Sequence, residues 1–323
     1  MNVFRNTFPH RPPKPPLAVD APVITDLDAP KILYIRTAAE DESDPDITVK
    51  AGDTLTAGAP LTCDGCISPV AGTVAGVSSG ADLRGGRQAV YVKLETSGNE
   101  TNKAYEALDP ETSDPQDLAE RLRSTGIVSG TPQPVALDAV LRPDSSPLST
   151  VIVLAADQEP GVSSTRALLA ERQEHIGAAL SLVGRIAEVQ RVLLALPDGT
   201  AVPAGCNAPI LTVPPIYPET LPPLVAERSG ETAPIGVITL EAALDALDAV
   251  RDGLVPSRRV LTVLGKNNAA PRNLRVAIGT PLRQVLEHCG CEPREKDKVI
   301  AGGPMRGFAQ YSQDAAIDAG IDA

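Results

Sequence analysis

Five cysteines raise the first chemical question about this chain. Cys63-Asp-Gly-Cys66 is a C-x-x-C, and Cys289-Gly-Cys291 is a C-x-C with His288 beside it. Thiolates at such spacings can hold zinc or an iron–sulfur cluster, and a C-x-x-C can also cycle as a redox dithiol. A four-sulfur site needs both pairs to meet in space, yet they fall in different segments. Packed or idle thiols are therefore the default, with Cys63 and Cys66 as the metal candidates. His10, His175 and His288 stand too far apart to suggest a metal triad and read as surface or capping residues. The sequence contains no Gly-x-Ser-x-Gly elbow, zincin helix or Walker loop. The other candidate chemistry is carboxylate: Asp157-Gln158-Glu159-Pro160 follows the apolar run Val151-Ile-Val-Leu154. Ligands of open α/β sheets bind at such strand ends. The alternative is a helix-entry loop whose acids favour a positive helix terminus.

The elements that would position these residues come in three groups. From Lys31 to Glu95, short apolar stretches are broken by Gly52, Gly58, Gly72 and Gly76, and Ala89-Val-Tyr-Val-Lys-Leu94 alternates as a half-buried strand does. This predicts a small all-β module. A polar stretch follows, then a short helix over 116–124 ending near Gly126. Val151–Leu154, a helical stretch capped by Ser163 or Ser164 and carrying Ile176, Leu180, Val183 and Ile186 on one face, and Arg191–Leu196 make a βαβ unit, hence a parallel sheet. Ile210–Val213 and Ile235–Thr239 add two strands, and Leu240–Asp252 reads as a helix stopped by Gly253. The remainder, Arg259–Leu264, Asn273–Ile278, a helix over Pro281–His288 and Lys298–Ile300, suits a small β-grasp-like module. Ala301-Gly-Gly-Pro-Met305 reads as the tight turn closing it, one that could also press on a neighbouring subunit or cluster domain. Before all of this lies a Pro-rich extended arm, 1–30, and after it an acidic, weakly patterned tail, 311–323.

A chain of 323 residues is long enough for two or three domains with their own cores, so neither disulfides nor metals are needed for stability. A net charge of -12 with scattered acids argues against nucleic acid or anionic lipid as the main partner. With 2% aromatics and no Trp, base-stacking platforms are absent and the cores must be Ala, Val, Leu and Ile. No stretch approaches the ~20 apolar residues of a membrane span, and the start lacks the apolar run of a signal peptide. The expectation is a cytoplasmic protein whose membrane contact, if any, runs through a partner.

Val49-Lys-Ala-Gly-Asp-Thr-Leu-Thr-Ala-Gly58 followed by Ser68-Pro-Val-Ala-Gly-Thr-Val74 is similar to the hammerhead of a biotinyl/lipoyl-type barrel-sandwich hybrid, but Thr62–Ile67 offers no attachment lysine. In order after it come Ala155-Ala-Asp-Gln-Glu-Pro-Gly161, Gly253 to Gly265, Ile278-Gly-Thr-Pro281 and Ala301-Gly-Gly-Pro-Met-Arg-Gly307. Together with an eroded Gly-Gly-x-His-Pro-Pro start around His10, Pro12 and Pro13, this series resembles the C subunit of the Rnf electron transport complex, a relative of the NADH-binding flavoprotein subunit of respiratory complex I. The resemblance implies a multi-domain α/β fold: arm 1–30, barrel-sandwich hybrid 31–96, linker 97–115, flavoprotein-like parallel-sheet domain 116–255, β-grasp soluble-ligand-binding domain 256–310 and tail 311–323.

The same resemblance implies an FMN/NADH site near Gly126, Gly130, Asp157 and Glu159. Here the flavin loop is degenerate: Gly126-Ile-Val-Ser-Gly-Thr-Pro-Gln-Pro134 keeps two glycines, and Pro132 and Pro134 each remove an N–H donor. FMN is disfavoured on that ground. The ferredoxin segment of the family, with its repeated cysteines, has no counterpart before Ala323, so 4Fe-4S clusters are not encoded in this sequence. The function implied by the resemblance is that of a peripheral subunit on the inner membrane face, docking or relaying electrons between a soluble carrier (ferredoxin, cytochrome or NADH) and membrane subunits. The alternatives are an active NADH-dependent FMN oxidoreductase subunit and a soluble-ligand or cobalamin-related adaptor.

Overall fold

The computed structural model describes residues 23–39, 46–96, 101–130, 135–232, 234–265, 272–294 and 296–323. His10 and the proline run of the expected arm, and Pro132 and Pro134 of the expected flavin loop, lie outside the described residues. Elements are numbered in chain order.

The first sheet is antiparallel, with strands β2 (Ile32–Ala39), β3 (Thr54–Leu55), β4 (Gly72–Ala81) and β5 (Gln88–Glu95) in the order β2-β5-β4-β3. Its inward residues Leu33, Ile35, Val74, Val92 and Leu94 pack with Leu61 into one cluster. Ahead of it, β1 (Ile24–Asp26) leaves this sheet altogether and pairs in parallel with a strand near the other end of the chain.

The middle of the chain builds a four-stranded parallel sheet. Helices α1 (Pro115–Thr125) and α2 (Leu137–Leu141) precede β6 (Thr150–Leu154). Then come α3 (Ser164–Glu171), a 3-10 turn over Gln173–His175, α4 (Ile176–Ile186), β7 (Arg191–Pro197), β8 (Ile210–Val213), α5 (Pro222–Ser229), β9 (Ile235–Thr239) and α6 (Leu240–Arg251). The order β8-β7-β6-β9 puts β6 and β7 at the centre, and every residue of β6 is buried, as a strand covered on both faces requires. Val151 and Val153 face α1, α4 and α6, while Ile152 and Leu154 face α5 with Val213 and Val225.

Local chemistry explains the helix ends. Asp114 accepts a hydrogen bond from the Gln116 amide at 2.8 Å, Pro115 takes the first helical position, and Gly126 ends α1 in the left-handed conformation at φ 63°. Thr239 caps α6 through the Ala242 amide. Ser163, expected as the cap of α3, makes no capping bond. The Asp157 carboxylate takes that role, accepting from the Thr165 amide at 2.8 Å.

The last group contains β10 (Arg258–Val263), β11 (Arg272–Ala277), α7 (Leu282–His288), β12 (Val299–Ala301) and β13 (Phe308–Gln310). β1-β11-β10 form a three-stranded sheet and β12-β13 an antiparallel ribbon. Residues 311–323, expected to be a weakly patterned tail, behave as core: Ala315, Ile317 and Ile321 pack with Leu261, Leu274, Val276 and Val285. The polar stretch before α1 is also tied down, with Leu108 donating to the Val250 carbonyl at 2.7 Å and Ala104 to Gly253 at 3.0 Å.

Candidate functional site

The carboxyl ends of β6 and β9 open onto a cavity of about 450 Å³. Its wall includes Ser129 and Gly130, Leu154 and Gln158, Pro222 and Pro223, Thr239, and Arg306 from the turn between β12 and β13. The location follows from parallel-sheet geometry, because adjacent strands whose loops diverge leave a crevice at this edge.

Glu159 is wholly buried beside this cavity and accepts two charge-assisted bonds. Arg306 Nε donates to its Oε1 at 2.7 Å and the Met305 amide to its Oε2 at 2.7 Å. A buried carboxylate without partners would cost several kcal/mol, and both oxygens are engaged here. Arg306 also reaches Gln158 Oε1, at a longer 3.4 Å. Gly303, at φ +91°, lies so close that a Cβ would sit 2.3 Å from Glu159 Cγ. The sequence marked Gly302-Gly303-Pro304 as a turn, but nothing local in it says that the turn closes over Glu159.

Asp157 points the other way, into the first turn of α3, and burial pushes its carboxyl up to about 7 against the lowering effect of the Thr165 amide. Asp157 and Glu159 are therefore neighbours in sequence with separate duties. Gly130 lines the cavity, but its α-carbon is pressed against Thr239, where a Cβ would lie 2.2 Å from Cγ2. The Ser129 carbonyl accepts from the Thr239 amide at 2.9 Å, which fixes the approach. Gly126 is a helix terminus facing Ile67 and is absent from the cavity wall. Gly130 is thus pinned against Thr239 and Gly126 closes α1, while residues 131–134 of the expected loop lie outside the described residues.

The cysteines lie elsewhere. Cys63 is exposed on a turn of the first sheet, where the Asp46 side chain raises its thiol above the ordinary value. Cys66 donates weakly to the Arg36 carbonyl at 3.5 Å, and burial pushes its thiol up to about 11. Cys289 packs in the core that surrounds α7. Among the described residues no three His, Cys, Asp or Glu side chains gather as metal ligands. None of their helices is long and apolar enough to cross a membrane.

Over 223 residues the chain is 32% identical to the C subunit of the ion-translocating oxidoreductase complex of Rhodobacter capsulatus, covering 62% of this chain and 43% of that one. Its relatives are C subunits of ion-translocating oxidoreductases. A second, the C subunit of the proton-translocating ferredoxin:NAD(+) oxidoreductase complex of Clostridium ljungdahlii, is 27% identical over 61% of this chain and 47% of its own. A third, the C subunit of the Na(+)-translocating ferredoxin:NAD(+) oxidoreductase complex of Acetobacterium woodii, is 25% identical over 83% and 67%. The chain thus spans under half the length of the first two C subunits. No family model matches it. Among solved structures, a chain of NAD+-reducing [NiFe]-hydrogenase in the H2-reduced state aligns with a TM-score of 0.51 at 16% identity, covering 64% of this chain and 46% of that one, a likeness of fold.

Proposed function

We propose that this chain acts as a peripheral subunit of a membrane-associated, Rnf-like electron transport complex. In this reading it is held at the cytoplasmic face by other subunits and docks or relays electrons between a soluble carrier and the membrane subunits. The observation that carries the proposal is the sequence shared with the C subunits, which reaches 83% of this chain for the Acetobacterium woodii relative. Ferredoxin is the carrier favoured by the names of two relatives, with NADH or a cytochrome as the other carriers considered. We assign 31–96 as a barrel-sandwich hybrid without an attachment lysine, 116–255 as the flavoprotein-like domain and 256–310 as a β-grasp domain. The antiparallel first sheet, the central parallel sheet and the ribbon beside β10-β11 support that division.

The site is proposed to work without FMN bound in the manner of the family. Gly130 is occupied by Thr239, Gly126 by a helix end, and the Glu159 charge by Arg306. One observation favours a second reading, an NADH-dependent FMN subunit: the cavity at the carboxyl edge of the sheet has room for a ligand. Incubating the purified chain with FMN and removing the excess separates the two. Colourless protein supports the first reading, whereas a yellow protein bleached by NADH establishes the second. Complex membership is tested by membrane retention, expected only with membranes that contain the partner subunits.

A further inference from the structure

The core of the last group of elements is not filled. Between β10, α7, the 291–301 segment and residues 317–323 lies a cavity of about 420 Å³. Its wall includes Leu261, Val263, Val285, Leu286, Ile317 and Ile321, all of them buried members of one apolar cluster. Protein interiors pack as closely as organic crystals and hold few voids larger than a water molecule. A gap of this size beside an apolar cluster has the dimensions of a ligand site rather than of a packing fault.

Water is a poor occupant for it, because a buried water needs several polar partners. Among the described residues, Thr262 is the only Ser, Thr, Asn, Gln, Tyr or His of the wall. Its hydroxyl is already engaged, donating to Asn273 Oδ1 at 2.8 Å and accepting from the Ser163 amide at 3.0 Å. An apolar cavity of about 150 Å³ stays dry and takes up benzene. The present one, at about 420 Å³, has room for a molecule of two or three rings.

The charged residues of the wall set the polarity of the guest. Glu292, Lys296, Asp297 and Lys298 stand on one short loop, two of each sign, and Glu292, Lys296 and Lys298 are exposed, so the cavity opens to solvent on that side. Their charges cancel on a chain of net charge -12, which leaves no excess positive charge to hold an anion. Asp297 accepts from the Arg294 amide at 3.0 Å and Glu292 is exposed, so no bare buried carboxylate awaits a cation. Gly303 and Pro304 belong to this wall and Arg306 to that of the cavity at the sheet edge, so one turn borders both.

We propose that this cavity binds one uncharged, apolar small molecule of two or three rings, which enters past the 291–298 loop. The site is independent of the functional reading above and stands whether or not the chain joins a complex.

The test is fluorescence titration of the intact chain with N-phenylnaphthylamine, a neutral probe that brightens in apolar surroundings; the chain has no Trp to interfere. Saturable uptake of one equivalent is expected, with the anionic anilinonaphthalene sulfonate bound ~10-fold more weakly or worse. Val285→Phe and Ile321→Phe place a ring in the cavity from α7 and from the tail. A ring placed in a void fills it, whereas in a closed core it overpacks. Each variant should therefore match the parent in circular dichroism and urea midpoint, and should bind the neutral probe ~10-fold more weakly or worse. Val202→Phe, exposed and outside this wall, should bind as the parent does. A parent chain that takes up no neutral probe overturns the proposal, as does uptake that the two filling variants leave unchanged. Loss of the fold in both variants reveals a core without free space and overturns it too. Tighter binding of the sulfonate overturns the assignment of an uncharged ligand.

Discussion

Gly303 presses its α-carbon against the side chain of Glu159, 144 residues earlier in the sequence, with no room for a methyl group between them. The contact locks the turn before β13 onto the carboxyl edge of the parallel sheet, and Arg306 completes it with an ion pair.

Gly303→Ala therefore meets two penalties, a backbone at φ +91° and a Cβ 2.3 Å from a buried carbon. A loss of about 2–4 kcal/mol is expected. It should appear as a lower urea midpoint at unchanged slope. A midpoint equal to that of the parent would show that the turn is free to move.

Glu159→Gln strands the Arg306 guanidinium, which is 19% exposed, and should cost about 3 kcal/mol. In the double variant with Arg306→Gln the second substitution should cost less than it does alone. A coupling of about 1–3 kcal/mol is expected from the double-mutant cycle. Strict additivity would mean that the pair contributes nothing as a pair.

The folded-state pKa of Asp157 is raised to about 7, chiefly by burial, against an unfolded value near 4. The folded chain holds a proton that the unfolded chain releases, so this contribution to stability is complete below about pH 4 and disappears as pH rises through 7. Asp245, on α6 beside Glu241 and Arg259, shifts in the same direction through burial. Urea unfolding from pH 5 to 8 should show stability declining, with a shallower decline in Asp157→Asn. An equal slope in the variant would refute the assignment.

Both thiols of the C-x-x-C are raised, Cys66 by burial and Cys63 chiefly by Asp46. Near neutral pH a disulfide reagent should modify exposed Cys63 more slowly than a free thiol, and Cys66 more slowly still. Asp46→Asn should quicken Cys63. Rapid, equal labelling of the two would contradict the environment described for them.

The four strands of the parallel sheet and its helix α6 were legible in the sequence because their signals are local, whereas α2, α5 and the break between α3 and α4 were not. Val151–Leu154 is an uninterrupted apolar run, and Gly126 marks the end of the helix expected over 116–124, although its cap Asp114 and first residue Pro115 were read as linker. The site was only half legible. Asp157 and Glu159 stand at the strand end that the pattern indicated, and Asp157 takes the helix-entry role that the sequence offered as the alternative, but Glu159 depends on Met305 and Arg306, and no sequence period encodes a pairing across 146 or more residues. Residues 315–321 bury through Ala and Ile alternating with Asp and Gly, too small and too polar a pattern to be recognised as core. Of the ribbon, the sequence indicated the strand at 298–300 and the turn at 301–305, but not β13, whose Gln310 reaches the Leu83 carbonyl across more than two hundred residues.

Ala316 fills the space between Ala89 and Tyr91 of the first sheet, and Ile24 lies beside Asn273 in the last. A ribosome releasing this polypeptide exposes the opening strands long before the residues that finish them have been made. Until then Tyr91 and its neighbours wait with an open flank, so this sheet is completed only after residues 272–316 have been made and a loop more than two hundred residues long has closed. Removing residues 311–323 should therefore unsettle the first sheet, which is made more than two hundred residues earlier.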